Sequence, residues 1–233
     1  MNLNLSPEAF QEGQILLIDK PLNWTSFQVV NKVRWLIRKQ FNIKKIKVGH
    51  AGTLDPLASG LLIICTGKFT KQIDSYQAQE KEYTGTITLG ATTPSFDLET
   101  EIDQTFDISN ITEAEIKDAT RQFIGEIEQY PPVFSAVKKD GKRLYEFARS
   151  GEDVEISSRK ITISEFGITS INLPEVHFKV NCSKGTYIRS LANDFGRALN
   201  NGAHLSGLRR TKIGAFSVED AISIEDFEKA ITT

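Results

Sequence analysis

Apolar and polar positions alternate along this chain in a way that divides it into short strands and amphipathic helices. Gln14 to Ile18 reads as a short apolar strand ending in Asp19-Lys20-Pro21. Thr25-Ser26-Phe27-Gln28 has the spacing of a capping box, with Trp24 and Val29 placed to staple the entry. Val29, Val33 and Leu36 recur at helical spacing, which predicts a helix over 25–40 with Lys32, Arg38 and Lys39 facing outward. Val48 to Gly60 is dense in Gly and Pro and reads as an ordered loop that feeds a fully apolar strand, Leu61 to Cys65. A helical stretch is expected over Lys68 to Gln77, then a strand from Glu82 to Leu89 whose alternation turns Tyr83 toward the apolar side. Residues 112–125 read as a helix, which Tyr130-Pro131-Pro132 separates from a basic, aromatic and partly helical segment, Lys138 to Ser150. Strands follow near Lys160 to Ile168 and at Val176 to Cys182. From Gly185 a helix carries Ile188, Leu191, Phe195 and Leu199 on its buried stripe. A strand near Gly214 to Phe216 and a short acidic helix from Ile224 end the pattern. Strands mixed with helices without strict alternation predict an α+β fold around a mixed sheet, one domain over 1–233 with an excursion at roughly 130–155.

Composition narrows the class. The chain of 233 residues is 39 % hydrophobic and 25 % charged, an ordinary globular balance, and it contains no apolar run long enough to cross a membrane. Met1 to Gly13 carries two acids and no base, so no signal peptide is expected, and the chain reads as cytoplasmic. Cys65 and Cys182 each lie in an apolar run and are expected to be reduced core residues. With three scattered histidines, no metal site is expected. The formal net charge of −2 argues against a polyanionic partner, but its distribution argues for one. From Lys20 to Leu54 there are eight basic residues and no acid, and ten acids follow between Asp97 and Glu128. Further basic clusters stand at Lys138 to Arg149 and at Arg209 to Lys212. Such polarity can present a cationic face while the whole stays near neutral.

Two segments carry candidate chemistry. Gly49-His50-Ala51-Gly52-Thr53-Leu54-Asp55-Pro56-Leu57-Ala58-Ser59-Gly60 sets a carboxylate between apolar neighbours on a glycine-rich loop, five residues from a histidine. An aspartate here can close a turn, or serve as a general acid–base or electrostatic group in a lined cleft. In Cys182-Ser183-Lys184-Gly185-Thr186-Tyr187-Ile188-Arg189 an arginine falls in the first turn of a helix, where the macrodipole disfavours a cation. It calls for an anionic partner, either an aspartate, with Asp55 the natural candidate, or a phosphate.

These segments, with Ile15-Leu16-Leu17-Ile18-Asp19-Lys20-Pro21, Lys81-Glu82-Tyr83, Tyr130-Pro131-Pro132-Val133-Phe134-Ser135-Ala136, Gly202-Ala203-His204-Leu205 and Leu208-Arg209-Arg210, resemble in content and order the TruB family. That family comprises the bacterial tRNA pseudouridine-55 synthases, with the dyskerin-type enzymes as relatives, and the resemblance spans roughly residues 13–217. It implies a pseudouridine synthase fold, a mixed and mostly antiparallel sheet with flanking helices and a thumb-like RNA-binding insertion. It implies isomerisation of a tRNA T-loop uridine by a monomer without cofactor or metal. Asp55 resembles the family's catalytic aspartate and Tyr83 the aromatic that stacks on the target uracil. Arg189 resembles the aspartate's partner, Tyr187 and Leu208 resemble base-pocket residues, His50 resembles the residue that enters the T-loop, and Lys20 matches a motif lysine near the cleft. About 17 residues follow Phe216, too few for the PUA domain of most relatives, so none is expected. The alternatives are a non-catalytic tRNA-binding or folding module on the same fold, and a small-molecule hydrolase using His50 and Asp55, which lacks a nucleophile elbow.

Overall fold

A computed structural model describes residues 5–139 and 141–232. The part of the N-terminal reading that rests on Met1 to Asn4 lies outside them, as does Asp140 in the basic excursion. The chain forms two compact units, Met1–Tyr83 with Leu208–Thr233, and Thr84–Gly207. The boundary falls inside two strands, Lys81–Leu89 and Ala203–Ile213.

In the first unit Ala58–Thr66 is the central strand. Ile15–Lys20 pairs antiparallel along one edge, from Ile15 opposite Cys65 to Lys20 opposite Gly60. The other edge takes Val48–His50 antiparallel and Leu208 to Arg210 parallel, with Leu208 opposite Ala58 and Arg210 opposite Gly60. The unbroken apolar run 61–65 follows from burial on both faces. Leu62 and Ile64 join Leu16, Ile18, Val29, Val33 and Ile37 beneath the helices Ser26–Phe41 and Ile224–Thr232. Leu61, Ile63 and Cys65 join Leu17, Ile213 and Val218 on the opposite face. Each such fully buried Leu, Ile or Val contributes roughly 1.5–3 kcal/mol by leaving water. The expected capping box is present, with Gln28 N–H donating to Thr25 Oγ1 at 3.1 Å and Thr25 N–H donating to Gln28 Oε1 at 2.7 Å.

In the second unit Glu175–Cys182 pairs antiparallel with Arg159–Asn172, which pairs antiparallel with Gly125–Gln129. The helix Ile188–Ala198 covers this sheet through Phe195, which meets Phe166 at 5.6 Å and Phe123 at 6.4 Å between ring centroids. The basic excursion is a two-residue hairpin, Lys138–Lys139 with Lys142–Arg143, followed by the helix Leu144–Ser150. The whole is α+β with a mixed sheet, as expected.

Several boundaries differ from expectation. The central strand begins at Ala58, not Leu61, because Gly60 belongs to it. At φ +102° its missing side chain lets the Arg210 backbone approach on the neighbouring strand, and any Cβ would penetrate the Arg210 carbonyl oxygen. Gly60→Ala is therefore expected to lower stability by about 3 kcal/mol or more, read as a lower denaturant midpoint at unchanged slope. The segment expected as one helix over Lys68 to Gln77 is a 3₁₀ turn, Gly67–Gln72, followed by a short α-helix, Ile73–Ala78. Gly67, at φ +52°, is tethered through its N–H to the Lys47 carbonyl, which tightens that first turn. The helix expected over 112–125 closes at Ala119, and Gly125 at φ +104° ends the following turn and opens a strand. The helix expected from Gly185 begins at Ile188, since Gly185 sits at φ +83° in the preceding turn. Ala203–Ile213 is a strand that the residue pattern does not predict, its run of His204, Ser206, Arg209 and Arg210 hiding the alternation. Both cysteines are buried and neither forms a disulfide among the described residues. No helix among those residues is long and apolar enough to cross a membrane.

Candidate active site

Asp55 stands in the first unit on the turn between Val48–His50 and Ala58–Thr66. Its own carbonyl accepts from Ala58 N–H at 3.1 Å, closing the turn. Its neighbours are fixed from outside: the Ser26 hydroxyl bonds to Leu54, and Asn23 N–H donates to the Pro56 carbonyl at 2.8 Å. Pro56 and the left-handed Gly52, at φ +96°, stiffen the same segment.

Strand register places two cations beside this turn. Lys20 and Arg210 both lie opposite Gly60, one on each flanking strand, and Lys20 is fully buried and Arg210 nearly so. Arg210 Nε donates to the Leu61 carbonyl at 2.8 Å and its Nη2 to the Gly52 carbonyl at 3.1 Å, so it ties together both limbs of the Asp55 segment. Lys20 Nζ donates to the Pro21 carbonyl at 2.9 Å and the Trp24 carbonyl at 2.6 Å. Burial pushes the Lys20 ammonium down to about 8; the Asp55 carboxylate opposes the shift and the Arg210 guanidinium adds to it. The sign of the pH effect follows. Between about pH 8 and 10.5 the unfolded chain holds the Lys20 proton more tightly than the native one, so stability rises with pH across that window. Unfolding free energies measured from pH 7.5 to 10.5 are expected to gain on the order of 3 kcal/mol from this group, a gain that Lys20→Met loses.

His50 is half-buried, and its Nδ1 has no hydrogen-bond partner among the described residues. Burial, and secondarily the Arg210 guanidinium, lowers its pKa against a smaller opposing contribution from the Gly52 backbone, so the imidazole is neutral at physiological pH. Tyr83 is buried, on the apolar side as its alternation predicts. Leu208 is half-buried opposite Ala58. Lys20, Asp55, Arg210 and His50 thus form one electrostatic group.

Tyr187 and Arg189 belong to the second unit. Tyr187 caps the Ile188–Ala198 helix, and the buried Gln129 holds it at both ends of one residue: Tyr187 N–H donates to Gln129 Oε1 at 2.8 Å, and Gln129 Nε2 donates to the Tyr187 carbonyl at 3.0 Å. The Arg159 guanidinium lies 5.3 Å from the Tyr187 ring centroid. Arg189 is buried in the first turn, as expected. Its Nη1 donates to the Phe134 carbonyl at 3.0 Å and to the Ser95 carbonyl at 3.3 Å. Asp97 Oδ2 lies 3.5 Å from Arg189 Nε, both side chains being 5 % exposed. The helix also holds the Tyr130-Pro131-Pro132 segment, Ser190 Oγ donating to the Tyr130 carbonyl at 2.7 Å.

Nothing in the residue pattern singles out Asp97, Gln129, Ser26 or Arg210. Asp97 is one of ten acids between positions 97 and 128, and Arg210 looks like its neighbour Arg209, which instead pairs with Asp19 at 2.7 Å. The basic clusters are partly neutralised within the fold. Lys32 pairs with Glu228 at 2.7 Å and Lys142 with Glu152 at 2.8 Å, while Lys32 and Lys39 both lie over the Trp35 ring.

Residues 38–188 match the family model described as TruB family pseudouridylate synthase (N terminal domain). The chain belongs to this family. Residues 189–233 match the tRNA pseudouridylate synthase B C-terminal domain. Among curated TruB-family relatives, a tRNA pseudouridine synthase B of Flavobacterium johnsoniae is 63 % identical over 97 % of this chain and 100 % of its own length. One from Phocaeicola vulgatus is 58 % identical over 94 % of this chain and 93 % of its own. A solved structure, the crystal structure of a Cbf5-Nop10-Gar1 complex, is similar with a TM-score of 0.71 and 32 % identity over 96 % of this chain, which spans 56 % of that chain. The TruB-family fold and the α+β architecture therefore agree.

Proposed function

We propose that this chain isomerises uridine to pseudouridine in tRNA, at position 55 of the T-loop, with Asp55 as its catalytic carboxylate. The observation that carries the reading is a carboxylate on a turn stiffened by Pro56 and tied down by the buried Arg210, with the buried Lys20 ammonium beside it, in a member of the TruB family. A turn held this firmly suits a group that must meet a reacting atom in fixed geometry. The reaction is balanced within the nucleoside: the C1′–N1 bond breaks, the uracil turns, C1′–C5 forms, the C5 proton leaves and N1 gains one. Redox equivalents and phosphate are not needed, so the reading requires no cofactor.

Asp55 drives cleavage of the glycosidic bond. Tyr83 gives the detached uracil an aromatic face and Leu208 lines the base, while Tyr187 resembles the family's other base-pocket residue. Arg189 resembles the family's partner of the aspartate, and Lys20 supplies positive charge beside Asp55. A base inside a folded loop must leave the stack first, at a cost of a few kcal/mol, and stacking on an aromatic returns about 1–3 kcal/mol. Neutral His50 enters the loop and fills the space the base leaves, since an uncharged imidazole can desolvate there more readily than a cation. Lysines and arginines on the Ser26–Phe41 helix and in the 138–149 excursion hold phosphates, which fixes the RNA without reading sequence. The protein works as a monomer in the cytoplasm.

The test is to incubate unmodified tRNA transcripts with the protein and map pseudouridine chemically at single-nucleotide resolution. Modification confined to the T-loop uridine supports the reading. Tight binding with no modified uridine would support the binding-module alternative instead.

A further inference from the structure

The Ser26 hydroxyl makes two hydrogen bonds to a single residue. It accepts from Leu54 N–H at 2.9 Å and donates to the Leu54 carbonyl at 3.1 Å, across 28 positions of sequence, and Ser26 is only 2 % exposed. Helix capping does not account for this. Thr25 is the cap, and its capping box with Gln28 is complete, so alanine at position 26 would serve the helix equally well. The hydroxyl is committed to the backbone of the residue before Asp55. Three residues earlier, Asn23, in the left-handed region at φ 64°, bonds to the carbonyl of the residue after it. The turn 21–26 therefore grips Asp55 from both sides. Lys20 braces that turn from within, through the Pro21 and Trp24 carbonyls.

From this geometry we infer that Ser26 is a positioning residue for Asp55, setting the direction of the carboxylate by fixing the peptide unit that precedes it. The inference rests on the assignment of Asp55 as the catalytic carboxylate. Without the hydroxyl, Leu54 loses both of these bonds while Asp55, Lys20 and Arg210 keep their chemistry. A displacement of about 1 Å at a reacting group costs roughly 10²-fold in rate. Ser26 touches no substrate, so the loss falls on kcat and not on KM.

The experiment compares Ser26→Ala, Ser26→Thr, Thr25→Ala and Asp55→Asn in a pseudouridine assay on a T-arm stem-loop, far below the unfolding temperature. Ser26→Ala is expected to lose about 10–100-fold in kcat with KM within about threefold of wild type. Ser26→Thr keeps the hydroxyl and is expected to return to within about threefold in kcat. Thr25→Ala removes the exposed helix cap and destabilises the same helix, yet is expected to leave kcat unchanged. If Ser26→Ala does not fold, Ser26→Cys, nearly isosteric with a much weaker hydrogen-bonding group, carries the same expectation. Wild-type kcat in Ser26→Ala, or a loss matched by Thr25→Ala, overturns the inference while an inactive Asp55→Asn leaves the catalytic assignment standing. An active Asp55→Asn removes both.

Discussion

Asp55→Asn is expected to lose pseudouridine formation by on the order of 10⁴-fold or more in kcat, while binding of a T-arm RNA changes by less than about threefold. Removing a group that acts covalently or as the principal charge at a reacting centre costs rates of this order, because its contribution is realised only in the transition state. The amide keeps the shape of the side chain and the turn that holds it. The Ala58–Asp55 backbone bond, the Ser26–Leu54 pair and the Asn23–Pro56 bond all lie outside the carboxylate. Because the carboxylate also lies beside the buried Lys20 ammonium, some loss of stability is expected, and thermal unfolding measured beside the kinetics, with the assay run where the variant is folded, separates that loss from the chemical one. Binding is expected to persist because the proposed phosphate contacts lie on other residues.

The second large effect concerns stability. Asp97→Ala is expected to destabilise the protein by about 3–5 kcal/mol, read from denaturant unfolding, because it strips one partner from a buried ion pair and takes that carboxylate's charge away from the desolvated Arg189 guanidinium. The loss exceeds that for an exposed pair such as Lys117 with Glu113, which contributes no more than about 1 kcal/mol. The combined change Asp97→Leu with Arg189→Met is expected to recover part of the stability, since the unpaired buried charge is gone while the Phe134 and Ser95 carbonyls lose their Arg189 donor. Pseudouridine formation is not expected to recover with it. That separation of stability from activity distinguishes a functional arginine from one retained for packing.

The outline of the fold is legible wherever burial writes a period into the sequence. Val29, Val33 and Leu36 mark the face of the Ser26–Phe41 helix, and the run 61–65 marks a strand covered on both sides. Legibility fails where a polar residue is buried by register. Arg210 and Lys20 are core positions occupied by cations, and only their shared alignment with Gly60 explains why. The strand Ala203–Ile213 is hidden for the same reason. Within the candidate site, Asp55 and His50 stand out because a glycine-rich loop bearing a carboxylate is unusual, and Arg189 because a cation in the first turn of a helix calls for an anion. That Asp97 lies beside it is a matter of tertiary contact between residues far apart in sequence. Side chains that clamp backbone, such as Ser26 on Leu54 and Gln129 on Tyr187, leave no trace in composition or period.

The proposed chemistry turns on uridine rearranging through Asp55. Because carbon 5 of the uracil loses its hydrogen when it becomes the glycosidic carbon, a T-arm stem-loop carrying tritium at that carbon reports turnover as tritium released to water. Wild-type protein is expected to release one equivalent per stem-loop, from the single uridine at position 55, and Asp55→Asn none above background in the same time. Release by Asp55→Asn at the wild-type rate, or none by wild-type protein bound to the RNA, would contradict that role.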